Sequence, residues 1–442
     1  MSISRTPRTR QALSRLALST AALGLLAGSA AASGFAVNEQ SVLGLGRAFS
    51  GEVARGGDAS SLWYNPALMT DFDRPTATTG IMGIFSSGTL ANRGTTIRGP
   101  GTGGATLPVS GVDGEDPLDP GYVPNASFIM PIGQDWWLGL NVNAPFGLVV
   151  DYADGYFGRY DSTRTELFTL NIQGSVAWKV SDNFSIGFGV DAQRGKATLD
   201  NALPNLGPLP DGAFKITGDD WAWGWNAGFT WAATDKLRFG AHYRSEIDHD
   251  LQGTEIVSGL VGPLAGSNRI VGGSAALTTP AMASAGFSYD VDAAWSVTGQ
   301  VNWYQWSNFD EIRVVSPGQP DLVNAQNYKD SWSYALGAEY RFSPDWTWRA
   351  GLMYEETPTQ EGFRTTRVPD SDRIWIATGA TWQATDNASL DVSLAYVALD
   401  DVHVQRTDVL YEGTPVATTV GIDAELKDAD AIIVGLGGSW RF

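Results

Sequence analysis

Apolar and polar side chains alternate with a period of two along most of this chain, and no other feature constrains its fold as tightly. From Trp221 to Trp231 the odd positions are Trp221, Trp223, Trp225, Ala227, Phe229 and Trp231. The even positions are Ala222, Gly224, Asn226, Gly228 and Thr230. The same pattern runs through residues 295–304, 332–342 and 346–355. Successive side chains of a strand point to opposite faces, so these runs predict strands with one apolar and one polar face.

A soluble sandwich alternates too, but two features favour a membrane barrel. Aromatic residues cluster at the strand ends, as in the girdles at bilayer interfaces. Tight turns at Gly133-Gln134-Asp135, Ser181-Asp182-Asn183, Ala233-Thr234-Asp235, Ser343-Pro344-Asp345 and Thr385-Asp386-Asn387 alternate with long connections (88–121, 201–219, 252–270, 314–330 and 404–428). Short turns on one side and long loops on the other mark an outer-membrane barrel. The expected fold is all-β, a 14-stranded antiparallel transmembrane barrel over residues 76–442. Pro280 interrupts the eighth strand. The last strand carries Ile432, Val434, Leu436, Gly438, Trp440 and Phe442 on one face.

The N-terminus carries Arg5, Arg8, Arg10 and Arg15, an apolar run from Leu16 to Leu26, and Ala30-Ala31-Ala32. This predicts a signal peptide over residues 1–32. Its removal takes four Arg and no acid, so a net charge of −19 becomes −23. Such a chain is a poor nucleic-acid ligand, because phosphate contacts need cations. Zero Cys excludes disulfides and thiolate chemistry, and three His leave little for metals. No metal or cofactor is expected. No 18-residue apolar run follows the signal peptide, so no membrane helix is expected. Catalysis needs a nucleophile beside a base. Only His242 is expected to face inward, with no Ser or Asp partner evident from spacing, so no enzyme is expected.

Residues 33–75 do not alternate and are rich in Gly, a segment sized to plug the barrel. Its stretches Gly34-Phe35, Asn38-Glu39, Gly44-Leu45-Gly46-Arg47-Ala48-Phe49-Ser50-Gly51, Asn65-Pro66-Ala67 and Asp73-Arg74-Pro75-Thr76 resemble the hatch of the FadL family. The likeness continues through 223–228, 243–246, Trp306-Ser307-Asn308-Phe309 and Pro369-Asp370-Ser371-Asp372-Arg373, across the whole mature chain. That family comprises outer-membrane transporters of long-chain fatty acids, with relatives that take up aromatic hydrocarbons. The resemblance implies a 14-stranded barrel with an N-terminal hatch and passive uptake. Ligand would be captured at outer loops, held above the hatch, and released sideways through a kinked third strand. It also implies a monomer. An outer-membrane barrel is expected to contact lipid and lipopolysaccharide, and the barrel-assembly machinery during biogenesis.

The candidate residues follow that route. Leu203, Leu206, Leu209 and Phe214 on one loop and Ile256, Val257 and Leu260 on another form a candidate outer groove. Asn143, Pro145, Phe146 and Gly147 interrupt the third strand. Proline cannot donate to a ladder, so a kink and a local gap are expected there. Phe35, Asn65, Pro66 and Ala67 are hatch or gating candidates. Trp306 and Phe309 are ligand candidates. Arg313 is the candidate carboxylate anchor, where the resemblance implies a basic residue, since its planar fork suits a carboxylate. A second family Arg falls at Asn201. Arg238, His242 and Arg244 are expected to face inward and pair with hatch acids such as Glu52 or Asp58. A general diffusion porin is the remote alternative.

Overall fold

The computed structural model describes residues 33–442, so the signal peptide lies outside the described residues. The barrel has 14 strands. They are β1 (Thr76–Asn92), β2 (Gly121–Ile132), β3 in two pieces (Trp136–Asn143 and Gly147–Asp151), β4 (Arg164–Ser181) and β5 (Phe184–Leu203). Next come β6 (Gly212–Ala232), β7 (Leu237–Arg244 and Ile247–Ser258), β8 (Arg269–Thr279 and Met282–Asp290), β9 (Trp295–Tyr304) and β10 (Ser331–Ser343). The last four are β11 (Trp346–Glu355), β12 (Arg373–Thr385), β13 (Ala388–Leu399 and Val402–Leu410) and β14 (Thr418–Arg441). Each pairs antiparallel with the next. β1 pairs with β14 from Thr76↔Arg441 to Asn92↔Ala424, which closes the sheet.

Closure satisfies the backbone without water, which a spanning sheet requires. The alternation sorts the side chains inside out. Leu336, Leu352 and Ile376 are 63%, 57% and 56% exposed, whereas Asn171, Gln173, Asp191 and Asn226 are fully buried. Stacked aromatics line the tight-turn end. Trp136 lies on Trp178 (ring centroids 5.6 Å apart), Trp295 on Tyr340 (4.4 Å) and Trp346 on Trp382 (6.0 Å).

The long connections are shorter than the sequence suggests, because strands run on beyond the wall. β1 continues to Asn92, β5 to Leu203 and β7 to Ser258. The break in β8 falls at Pro280-Ala281, and β7 breaks beside it at Ser245-Glu246.

Residues 33–75 sit inside the lumen, built from the short helices Val42–Leu45 and Ser61–Tyr64 and a 3-10 turn, Pro66–Asp71. Ser41 caps the first, its Oγ accepting from the Gly44 N–H at 2.9 Å. Wall glycines let the hatch backbone come close. A Cβ on Gly240 would stand 1.8 Å from the Val53 carbonyl oxygen, and one on Gly228 2.3 Å from Asn65 Oδ1. Arg47 of the hatch is buried between Glu52 at 2.5 Å and Glu339 of β10 at 2.6 Å.

Of the inward cations, Arg238 finds a hatch acid as expected, whereas Arg244 and His242 find wall partners instead. Arg238 pairs with the hatch acid Asp71 at 2.7 Å, Arg244 pairs with Asp191 of β5, and His242 lies 3.5 Å from Asn226. Glu52 is taken by Arg47, and Asp58 accepts from Ser60. The register of β5 to β7 brings Asp191 nearer to Arg244 than any hatch acid.

Candidate functional site

The site begins at the break in β3. The ladder from β3 to β2 ends at Ala126↔Val142, although β2 runs on to Gly121 against β1. On the other side, Asn143 faces Asn171 but Gly147 faces Phe168, so β3 holds one extra residue. Pro145 has no N–H to give to either neighbour. Asn143 is buried beside the break, and neither polar atom of its amide has a hydrogen-bond partner.

The start of the hatch fills the place that the ladder leaves. Val37 N–H donates to the Pro145 carbonyl at 2.8 Å, and Gly147 N–H donates to Phe35 O at 3.0 Å. Gln40 Nε2 donates to Ala144 O at 2.9 Å. Wall carboxylates hold this segment from the far side. Asp370 Oδ2 accepts from the Gly34 N–H, and Glu355 Oε1 accepts from Asn38 Nδ2, both at 2.9 Å. Glu39, between these anchors, is fully buried with both oxygens unpartnered. Burial pushes its carboxyl up to about 8.

Four of the candidate residues meet at this point. The Phe35 ring lies 4.5 Å from Trp306, 5.3 Å from Phe309 and 6.2 Å from Phe146. Tyr328 closes the group at 5.8 Å from Trp306 and 5.0 Å from Phe309. Edge-to-face aromatic contacts such as these add about 0.5–1.5 kcal/mol each beyond area burial.

The segment separates two cavities. One is lined by Gly34, Leu118, Leu148, Val368, Asp370 and Arg373, among others. The second, on the side of Ala36 to Asn38, includes Pro145, Arg244, Met282 and Tyr304.

Other candidates lie apart. Asn65 is buried; its Nδ2 donates to Val53 O (2.7 Å) and Phe229 O (2.9 Å), and its Oδ1 accepts from Ala67 N–H (3.0 Å). With Pro66 at the first position of the 3-10 turn, Asn65 ties that turn to β6. At the outer end, Leu203, Phe214, Val257 and Leu260 bury against Leu264 and Val314. They form a core under the loops, not an open groove. Ile256 is half-buried and Leu209 exposed. An outer groove of about 490 Å³ does exist, between the 204–211 connection and the 97–107 hairpin. Leu206, Leu209, Ile97 and Arg159 line it. Arg313 is exposed on an outer extension, its guanidinium bonded to Glu311 (2.7 Å) and Asp321 (2.9 Å).

Sequence reasoning missed Asp370, Arg373, Glu355 and Tyr328 as parts of the site. Asp370 and Arg373 lie inside Pro369-Asp370-Ser371-Asp372-Arg373, a stretch that carries the resemblance, and that is the available signal.

Comparison with known proteins adds four findings. A family model described as outer membrane protein transport protein (OMPP1/FadL/TodX) matches residues 23–442. The long-chain fatty acid transport protein of Escherichia coli O6:H1 is 29% identical over 408 residues, covering 85% of this chain and 89% of that one. Among solved structures, a Pseudomonas aeruginosa FadL homologue superposes with a TM-score of 0.81 at 24% identity, over 93% of this chain and all of that one. The Ralstonia pickettii toluene transporter TbuX superposes with a TM-score of 0.61 at 20% identity, over 88% and 96%. Both structural likenesses concern the fold.

Proposed function

The chain belongs to the outer membrane protein transport family of FadL and TodX, and from that premise we propose that it takes up long-chain fatty acids. As a member, it is an outer-membrane transporter of hydrophobic compounds. The proposed route starts at the outer groove beside Leu206 and Leu209. It continues to the cavity at Gly34 and Leu148, and leaves sideways where β3 breaks at Pro145. The hatch does not leave the barrel. Only its first residues, 34–38, move.

One observation carries this reading. Phe35 of the hatch packs on Phe146 of the β3 break, at the place where the β2–β3 ladder stops. A hydrophobic solute released there passes into lipid and avoids transfer into water, which costs about 0.8 kcal/mol per CH₂. Nothing in the route consumes energy, so uptake is downhill. Fatty acid is favoured over hydrocarbon because the curated relative at 29% identity is named for long-chain fatty acid transport. The protein acts as a monomer, seated among lipid and lipopolysaccharide after insertion by the barrel-assembly machinery.

The test is equilibrium binding by the purified mature protein in detergent. A long-chain fatty acid is compared with a matched alkane and a single-ring aromatic, for wild type and Arg313→Ala. Preferred binding of the fatty acid supports the reading. Equal or tighter binding of the neutral ligands moves the chain to hydrocarbon uptake. Loss of acid binding in Arg313→Ala would make Arg313 an outer capture residue.

A further inference from the structure

This inference rests on the proposed lateral exit at β3 and assigns the residues that select what leaves there. The gap between β2 and β3 has defined edges. It starts past the last ladder pair, Ala126↔Val142, and ends at the isolated bridge Leu118↔Val150, where the Asp151 N–H donates to Pro117 O at 2.8 Å. Pro124 stands on the β2 margin and Pro145 on the β3 margin, so neither margin offers an N–H at that position. On the lumen side, Phe35 and Val37 of the hatch cover the gap through their bonds to Gly147 and Pro145.

The base of the gap is polar. One step past Ala126↔Val142, the antiparallel register sets Asn125 opposite Asn143. Both alternate to the lumen face and are buried, 4% and 2% exposed. Asn125 Nδ2 has no hydrogen-bond partner among the described residues, and neither does either polar atom of the Asn143 amide. Asn141 and Asn171 lie beside them with their donors in use. Asn141 Nδ2 donates to Ser127 Oγ at 2.8 Å, and Asn171 Nδ2 to Asp191 Oδ1 at 2.9 Å, while the Oδ1 of each is unpartnered.

Among the described residues of the barrel wall, these four are the only Asn or Gln with a buried side-chain atom lacking a partner. Gln173, Asn226, Gln300 and Asn302, buried elsewhere in the lumen, are bonded. The unused hydrogen-bonding capacity is therefore confined to the place where the wall opens, and its two free donors face each other there. A buried amide without a partner costs free energy that an acceptor recovers. A site built to hydrogen-bond a solute rejects the analogue without that group, because its own polar atoms stay unpaired. A carboxylate brings the acceptors that two facing N–H groups need. A hydrocarbon brings none.

We propose that Asn125 and Asn143 select fatty acids over hydrocarbons at the exit. As the solute passes sideways, its carboxylate accepts from Asn125 Nδ2 and Asn143 Nδ2 while its alkyl chain lies in the lipid. The two amides act on release and not on capture.

The test measures delivery of a long-chain fatty acid and of the matched alkane at neutral pH. The mature protein is placed in vesicles with lipopolysaccharide in the outer leaflet, and protein-free vesicles give the baseline. Wild type, Asn125→Leu, Asn143→Leu and Asn143→Gln are compared. Wild type should deliver the acid faster than the alkane. Each Leu variant should lower that ratio roughly tenfold by slowing the acid alone, the worth of one hydrogen bond to a charged group. Asn143→Gln should keep part of the ratio. Equilibrium binding of the acid in detergent should stay at the wild-type level, since capture lies elsewhere. The proposal is overturned if both Leu variants keep the wild-type ratio, if they slow both probes alike, or if wild type delivers acid and alkane alike. In each of these cases the uptake reading stands, because wild type still delivers the acid. If wild type delivers neither probe above the baseline, the uptake reading itself fails. Should a Leu variant not fold, Asn143→Ala or Asn125→Ala, which removes the amide without adding bulk to the gap, replaces it.

Discussion

Val37 of the hatch donates its backbone N–H to the carbonyl of Pro145, 2.8 Å away, at the one place where β3 loses its ladder to β2. The hatch thus replaces a missing stretch of sheet with three hydrogen bonds of its own. The same contact is a seal and, in the proposed route, the part that must give.

Pro145→Ala returns an N–H to the break and relaxes the block on ladder pairing. The expected result is a folded barrel with several-fold slower fatty acid uptake. Uptake into vesicles, alongside the gel shift of the folded form, measures both.

Arg47→Gln leaves Glu52 buried without its cation, while Glu339 keeps Arg349 at 2.9 Å and Arg55 at 3.2 Å. Breaking a buried pair in this way costs about 3–5 kcal/mol. The hatch should become sensitive to protease at temperatures where the wild-type hatch survives, while the barrel fragment stays intact. Limited proteolysis of folded protein reads this directly.

Asn65→Ala removes three hydrogen bonds at a fully buried position and leaves the Val53 and Phe229 carbonyls without that donor. A loss of about 1–3 kcal/mol is expected from the stranded groups. Hydrogen exchange should rise in residues 65–72 and much less in β6.

Glu39 gives a pH dependence. Its carboxyl is raised by burial from an ordinary 4.5 to about 8, so the folded state binds the proton more tightly than the unfolded state. The stability this provides is complete below about pH 4.5 and is lost as pH rises to about 8. Thermal unfolding should therefore fall between about pH 5 and pH 9 in wild type. Glu39→Gln should flatten that part of the profile and melt higher than wild type at the alkaline end.

Much of this fold is legible in the sequence because lipid imposes a simple rule. Each strand must show lipid an apolar face, so Trp221 to Trp231 or Trp346 to Tyr354 announce themselves by period alone. The break in β3 is equally local, since Pro145 states its own inability to pair. The outer extensions look like loops in the sequence because short strands broken by Gly and Pro carry little periodicity. The partners of Arg244 and Arg313 were not legible. Asp191 reaches Arg244 through the register of β5, β6 and β7, which alternation does not set.

The most direct measurement locks the gate. Ala36 and Phe146 face each other across a pair whose hydrogen bonds run through the flanking residues. Side chains at such pairs stand close, as a disulfide needs. The chain has no other cysteine, so Ala36→Cys with Phe146→Cys gives a single bridge. The account predicts that the oxidised protein binds fatty acid but delivers none into the membrane, and that reduction restores uptake. Uptake by the oxidised form at the rate of the reduced form would contradict the lateral route.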